Sequence, residues 1–226
     1  MRVVGVDGCR GGWVAVSISR DNQRSFLVMP RIEDVVAMKA DITLLDMPIG
    51  LPDLGYRACD LAARTMLGSS RSRVFLGVRR PLLAFLNDYA GANAWGKSVG
   101  CRVSRQMFAI LPKIAEVDAF MSAHAQQRIR ESHPEVVYCR LAGGYALPSK
   151  TSPAGRATRR DLLLDHGFAD IDSWLGTLRK TGAKPDDLLD ACACAIAAVD
   201  VLNGTGRRLG GEDDIDRRGL KMEIWY

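Results

Sequence analysis

Two short apolar runs, each closed by an aspartate, constrain this chain more than any other feature. Val3-Val4-Gly5-Val6 stops at Asp7, and Ile42-Thr43-Leu44-Leu45 stops at Asp46. Short apolar runs bounded by turn formers read as buried strands. The turn formers here are Gly8, Gly11 and Gly12 after the first run and Pro48, Gly50 and Pro52 after the second. Far along the chain, Asp187 and Asp190 head a helix of small residues running from Ala191 to Ala198. Residues three apart share a helical face, and this face continues through Ala191, Cys194, Ala198 and Val201. The two acids therefore head the packed side of the helix. Carboxylates gathered at strand tips and a helix start repel one another unless a cation neutralises them. An oxygen-only set favours Mg²⁺ or Mn²⁺ over zinc.

The remaining pattern predicts an α/β arrangement. Strands are expected at 2–8, 13–18 and 25–29, a short amphipathic helix near 32–38, and a fourth strand at 42–46. A helix is expected over 53–68. The segment 69–103 reads as a loop-rich stretch with one helix at 82–89. A helix over 104–123 has Ser104 as its cap and Pro112 as a kink or break. Val136-Val137-Tyr138-Cys139 reads as a fifth strand. Helices follow at 155–167, 172–181 and 186–203, the last opened by Pro185 and closed by Gly204. Residues 221–225 read as a terminal strand. One domain spanning 1–226, with an insertion at 53–125, is the simplest organisation.

Nearly half of the 226 residues are apolar, enough for a real core. No run of eighteen apolar residues predicts a membrane helix. An acid at position 7 comes too early for a secretory leader, so a cytoplasmic protein is expected. The six cysteines form no Cys-x-x-Cys pair and read as buried thiols in a reducing compartment. Cys9 draws attention because it follows Asp7 in the glycine-rich turn. The net charge of +5 suits a nucleic-acid or phosphate ligand without requiring one. Arg71, Arg73, Arg79, Arg80, Arg156, Arg159 and Arg160 are the candidate nucleic-acid-binding residues, with a solvated surface as the plain alternative.

Further candidates surround the acids. Glu131, His133 and Glu135, in Glu131-Ser132-His133-Pro134-Glu135, could supply a ligand or a proton relay. A polar strand entry with a satisfied histidine is the simpler account. Lys150 could hold a phosphate or be an ordinary loop lysine. The turn Gly5-x-Asp7-Gly8-x-x-Gly11-Gly12 lets backbone approach a phosphate. It is neither a dinucleotide fingerprint nor a P-loop, and Asp7 could simply cap the turn.

The order of these elements resembles the ribonuclease H-like fold. That fold is a five-stranded mixed sheet flanked by helices, here with a helical insertion after the fourth strand. Gly5-Val6-Asp7-Gly8 and Asp187-Leu188-Leu189-Asp190-Ala191-Cys192-Ala193 are similar to the first strand and closing helix of RuvC-type Holliday-junction resolvases. More specifically, the chain resembles the domain-of-unknown-function 429 family, described as predicted ribonuclease H-like nucleases. The matching pieces are Val6-Asp7-Gly8-Cys9-Arg10-Gly11-Gly12-Trp13, Asp46-Met47-Pro48-Ile49-Gly50-Leu51-Pro52, Glu131-Ser132-His133-Pro134-Glu135-Val136, Asp187-Leu188-Leu189-Asp190-Ala191 and Met222-Glu223-Ile224-Trp225. The resemblance implies adjacent first and fourth strands carrying Asp7 and Asp46, with the late helix bringing Asp187 and Asp190.

Four converging carboxylates in a basic protein make two-metal phosphodiester hydrolysis of DNA or RNA the leading reading, Asp7 bridging ions roughly 4 Å apart, Asp46 holding one and Asp187 with Asp190 the other. Asp46 stands where the resolvases carry glutamate, and the insertion is expected to shape substrate choice. Two other readings stay open. An actin-like phosphotransferase would need two such folds, and hence a homodimer. A non-catalytic module would bind nucleic acid or a partner through its basic loops.

Overall fold

The structure, a computed structural model, describes residues 1–226. The chain opens with an antiparallel meander of β1 (Arg2–Cys9), β2 (Gly12–Ser19) and β3 (Arg24–Met29). Helix α1 (Ile32–Val36) leads to β4 (Ile42–Asp46), which runs parallel to β1. A long segment then carries α2 (Ala58–Leu67), α3 (Tyr89–Ser98) and α4 (Arg105–Phe120), with 3₁₀ turns at Gly68–Arg73 and Arg80–Phe85. Strand β5 (Ile129–Glu131) adds parallel to β4. Helices α5 (Pro134–Leu141), α6 (Pro153–Asp165), α7 (Ile171–Thr177) and α8 (Pro185–Leu202) follow. The short strands β6 (Arg208–Leu209) and β7 (Ile224–Trp225) pair with each other. The main sheet has the order β3-β2-β1-β4-β5. This is a mixed α/β sheet consistent with the ribonuclease H-like arrangement.

The period-two alternation of strands divides the core in two. Val3, Ile42 and Leu44 point to the face covered by α8. Val4, Val6 and Leu45 point to the opposite face, with Met107, Leu111, Ile114 and Val117 of α4. Helix α8 is buried continuously from Leu188 to Ala198, and its small residues let it lie close on the sheet. The contact is tightest at Gly5. A β-carbon there would fall 2.0 Å from the backbone nitrogen of Ala195 and 2.2 Å from the carbonyl oxygen of Ala191.

The structure corrects several expectations. Val136–Cys139 is not a strand but the middle of α5, and the fifth strand is the shorter Ile129–Glu131. All four residues of that apolar run are buried, so it shows no periodicity to separate helix from strand. Pro134 occupies the first turn of α5, where proline starts helices. Helix α2 begins at Ala58, later than expected. The helix expected at 82–89 is a 3₁₀ turn ending at Phe85, followed by α3 from Tyr89. Ser104 caps α4 as expected, its Oγ accepting the Met107 N–H at 3.1 Å. Pro112 does not divide α4. It lies on the exposed side while the buried stripe runs on unbroken.

Candidate metal centre

In the parallel pairing of β1 and β4, Asp7 stands directly opposite Asp46. Asp7 is two residues from Gly5 and Asp46 two from Leu44, so the alternation turns both acids toward α8. The close approach at Gly5 brings the first turns of α8 over the strand tips. Asp190 arrives there from α8. Carboxylate oxygens of Asp7, Asp46 and Asp190 all lie within 4.8 Å of one another. Asp7 is 8% exposed and Asp190 1%, while Asp46 is half-buried at the rim.

Three acids this close cannot all ionise cheaply. Burial pushes the Asp7 carboxyl well above the carboxylate range, helped by the charges of Asp46 and Asp190. Burial likewise pushes Asp46 up to about 7 and Asp190 up to about 6. One protein cation answers them. Lys150 Nζ donates to Asp190 Oδ2 at 2.6 Å, and the surrounding acids hold the lysine firmly charged. The other Asp190 oxygen, Oδ1, is buried with no hydrogen-bond partner. A buried carboxylate oxygen left bare is costly, and a divalent cation would satisfy it.

Asp187 departs from expectation. It shares the helical side of Asp190, but its Oδ2 accepts the Lys184 N–H at 2.8 Å, capping α8. It adds negative field near the triad and stands outside the three-acid cluster.

The accessory candidates surround a cavity of about 450 Å³ that the triad also lines. Glu131 is buried and clasped by Arg57, whose Nη1 and Nη2 reach its two oxygens at 2.6 and 2.7 Å. The same guanidinium grips Asp60, with Nε to Oδ2 at 3.0 Å and Nη2 to Oδ1 at 2.5 Å. Glu131 Oε2 also accepts the Ile49 N–H at 2.7 Å. This fixes the loop that follows Asp46. Asp216 fixes the same loop further on, accepting the Leu51 N–H at 2.9 Å. Glu135 lies between Arg73 and Arg159, each at 2.6 Å. His133 lines the cavity with a buried, unpartnered Nδ1, and burial lowers its pKa, so the ring is neutral.

The arginines do not form one surface. Arg79 is buried, donating to the Gly55 carbonyl at 2.8 Å. Arg80 is buried in ion pairs to Asp118 and Asp216. Arg159 is buried on Glu135. Arg73 is mostly covered, at 22% side-chain exposure. Arg160 pairs with Asp161 and Asp172 at the surface. Arg71 and Arg156 are exposed. Cys9 is a core thiol, 5% exposed and on the α8 side.

Sequence reasoning missed Arg57, Asp60 and Lys113. Arg57 and Asp60 are three apart at the start of α2, a spacing that signals an ion pair but not its burial. Lys113 lines the cavity from α4, its Nζ donating to the Gly12 carbonyl at 2.6 Å and lying 4.2 Å from the Trp13 ring centroid. Also unforeseen were the apolar walls Val74, Phe75, Val78 and Ile110. They come from the segment between β4 and β5, which the sequence marked only as an insertion.

No helix is long and apolar enough to cross a membrane. No curated protein matches the chain, and no solved structure does. The family model described as "Protein of unknown function (DUF429)" matches residues 5–215. A match over nearly the whole length places the chain in the DUF429 family.

Proposed function

We propose that this protein is a Mg²⁺- or Mn²⁺-dependent phosphodiester hydrolase acting on nucleic acid. The observation that carries the reading is the buried triad of Asp7, Asp46 and Asp190, with Asp190 Oδ1 bare and Lys150 as its one counter-ion. The cavity lining as a whole points the same way. It carries six carboxylates against four Lys and Arg side chains, a formal charge of two negative when all are ionised. One divalent cation balances that charge. The donor set is entirely oxygen, which suits hard cations.

In this reading Asp7, Asp46 and Asp190 hold the metal. A divalent ion there supplies Lewis-acid polarisation of a phosphoryl oxygen and an activated water. The protein's own groups do the rest. Lys150, on the flank of the triad, can turn from Asp190 toward a phosphate oxygen. Neutral His133 faces the same cavity and can carry a proton through its free Nδ1. The buried Arg57–Glu131–Asp60 cluster positions the Asp46 loop and touches no substrate. Arg71 and Arg156, exposed and outside the buried ion pairs, remain for backbone phosphates. The six free cysteines, five of them buried, suit a cytoplasmic setting.

The test is direct. Titration calorimetry with Mn²⁺ should show binding that Asp7→Asn and Asp190→Asn abolish while circular dichroism stays native. Cleavage of labelled DNA or RNA should require the metal and disappear in the same variants. Wild-type protein that takes up no Mg²⁺ or Mn²⁺ at millimolar concentration would end the proposal.

A further inference from the structure

We infer that the site takes one unpaired nucleotide unit at a time, a phosphodiester joined to a single unstacked nucleoside, and does not cut inside a duplex. The inference rests on the phosphodiester-hydrolase reading and narrows its substrate. Asp190 and Asp7 lie inside the protein, 1% and 8% exposed, with Asp46 at the rim. A phosphate must therefore enter the cavity to reach them. The cavity holds about 450 Å³, within the range of pockets that enclose one small-molecule ligand, roughly 300–1,000 Å³. One nucleoside with its phosphate is a ligand of that size, and a base pair with both its backbones is not. Paired strands cannot bring their backbone to the triad without melting.

The chemistry of the walls matches one nucleoside. In a lining that is otherwise mostly polar, Phe75, Val78 and Ile110 supply apolar surface. The strand tips and α8 supply the triad, and Lys150 a cation on its flank. Stacking on an aromatic ring is how proteins hold an unstacked base without reading its sequence, and Phe75 offers such a ring. The segment between β4 and β5 contributes both that ring and the walls that narrow the cavity. It therefore acts as a size filter on the site. Hydrolysis there joins the oxygen of one water to phosphorus, breaks one P–O ester bond, and passes the water's proton to the departing alkoxide. No other reactant is needed.

A single strand and a dinucleotide present the same unit, so both are tested. With Mn²⁺ present, four substrates are compared: a dinucleotide, a labelled linear single strand, a relaxed closed-circular duplex, and a four-way junction read at its crossover. Cleavage of the dinucleotide, the single strand, or both, with the circle and junction at least 100-fold slower, is the expected result. The two small arms show whether a strand is needed. Phe75→Ala should raise KM for the cleaved substrate about tenfold with kcat retained, and Phe75→Leu should recover part of the loss. Cutting of the duplex or junction within tenfold of the best small substrate overturns the inference and leaves the hydrolase reading standing. No cleavage of any substrate by Mn²⁺-loaded protein overturns both.

Discussion

Replacing Gly5 by alanine tests how the centre is assembled. The added methyl would lie 2.0 Å from Ala195 N, 2.2 Å from Ala191 O and 2.7 Å from Ala195 Cα, all backbone atoms of α8. Ordinary contact begins near 3.4 Å, so the helix must withdraw from β1 by more than about 1 Å. No flexible side chain can absorb this. Overpacking of a filled core costs about 1–3 kcal/mol, and clashes with backbone belong at the upper end. For a chain of this size, about 3 kcal/mol lowers Tm by roughly 6–12 °C. The same displacement carries Asp190 away from Asp7 and Asp46. Mn²⁺ affinity should therefore fall at least tenfold in protein that is still folded at 20 °C. Urea denaturation gives the stability change, and calorimetry gives the affinity. A variant within about 0.5 kcal/mol of wild type and with unchanged Mn²⁺ binding would refute the account of α8 as the element that completes the triad.

Four further outcomes follow from the same geometry. Lys150→Met removes the positive charge 2.6 Å from Asp190 Oδ2; Mn²⁺ should bind about tenfold tighter, about 1.4 kcal/mol, while cleavage falls, and weaker binding would contradict the counter-ion role. In metal-free protein, Asp46 and Asp190 hold protons up to about 7 and about 6, against 3.8 when unfolded. The folded state then binds more protons than the unfolded one between those values, so Tm in chelator should fall as pH rises from 4 to 7. Stabilisation by added Mn²⁺ should grow over the same window, and a Tm in chelator that rises with pH would reverse the argument. Arg57→Met leaves Asp60 and Glu131 buried without their shared cation; a loss of about 3–5 kcal/mol in urea denaturation is expected, with Arg57→Lys recovering little because it cannot grip both carboxylates. Asp187→Ala should cost about 1 kcal/mol through the lost cap on Lys184 and change Mn²⁺ affinity less than fivefold, in contrast to Asp190→Asn.

What the sequence disclosed and what it hid follow from the range of each interaction. Asp7 and Asp46 were legible because a strand's end is a local property and both sit where an apolar run meets turn formers. Asp190 was legible because an acid among small apolar residues conflicts with its surroundings. Asp187 obeys the same i,i+3 rule, but spacing cannot tell a side chain reaching outward from one folded back on its own helix start. Arg79, Arg80 and Arg159 were misread as surface for a different reason. A charged residue looks like surface until its partner is known, and the partners of Arg80 and Arg159 lie at Asp118, Asp216 and Glu135. The fifth strand was misplaced because Val136–Cys139 is buried on every side as a helix, and the true strand is three residues long. The cavity walls left no local trace, since Phe75, Val78 and Ile110 converge only after the segment between β4 and β5 has folded.

The wide spacing of the acids has a consequence for translation. Asp46 leaves the ribosome roughly 140 residues before α8, a lag of roughly 7–28 s at ordinary elongation rates. During that interval the nascent sheet carries Val3, Ile42 and Leu44 on a face that only the late helix covers, so an unfinished chain offers chaperones a greasy flank. The triad is complete only when synthesis has passed α8. A polypeptide abandoned earlier would carry two of the three acids of the triad and lack the helix that brings the third.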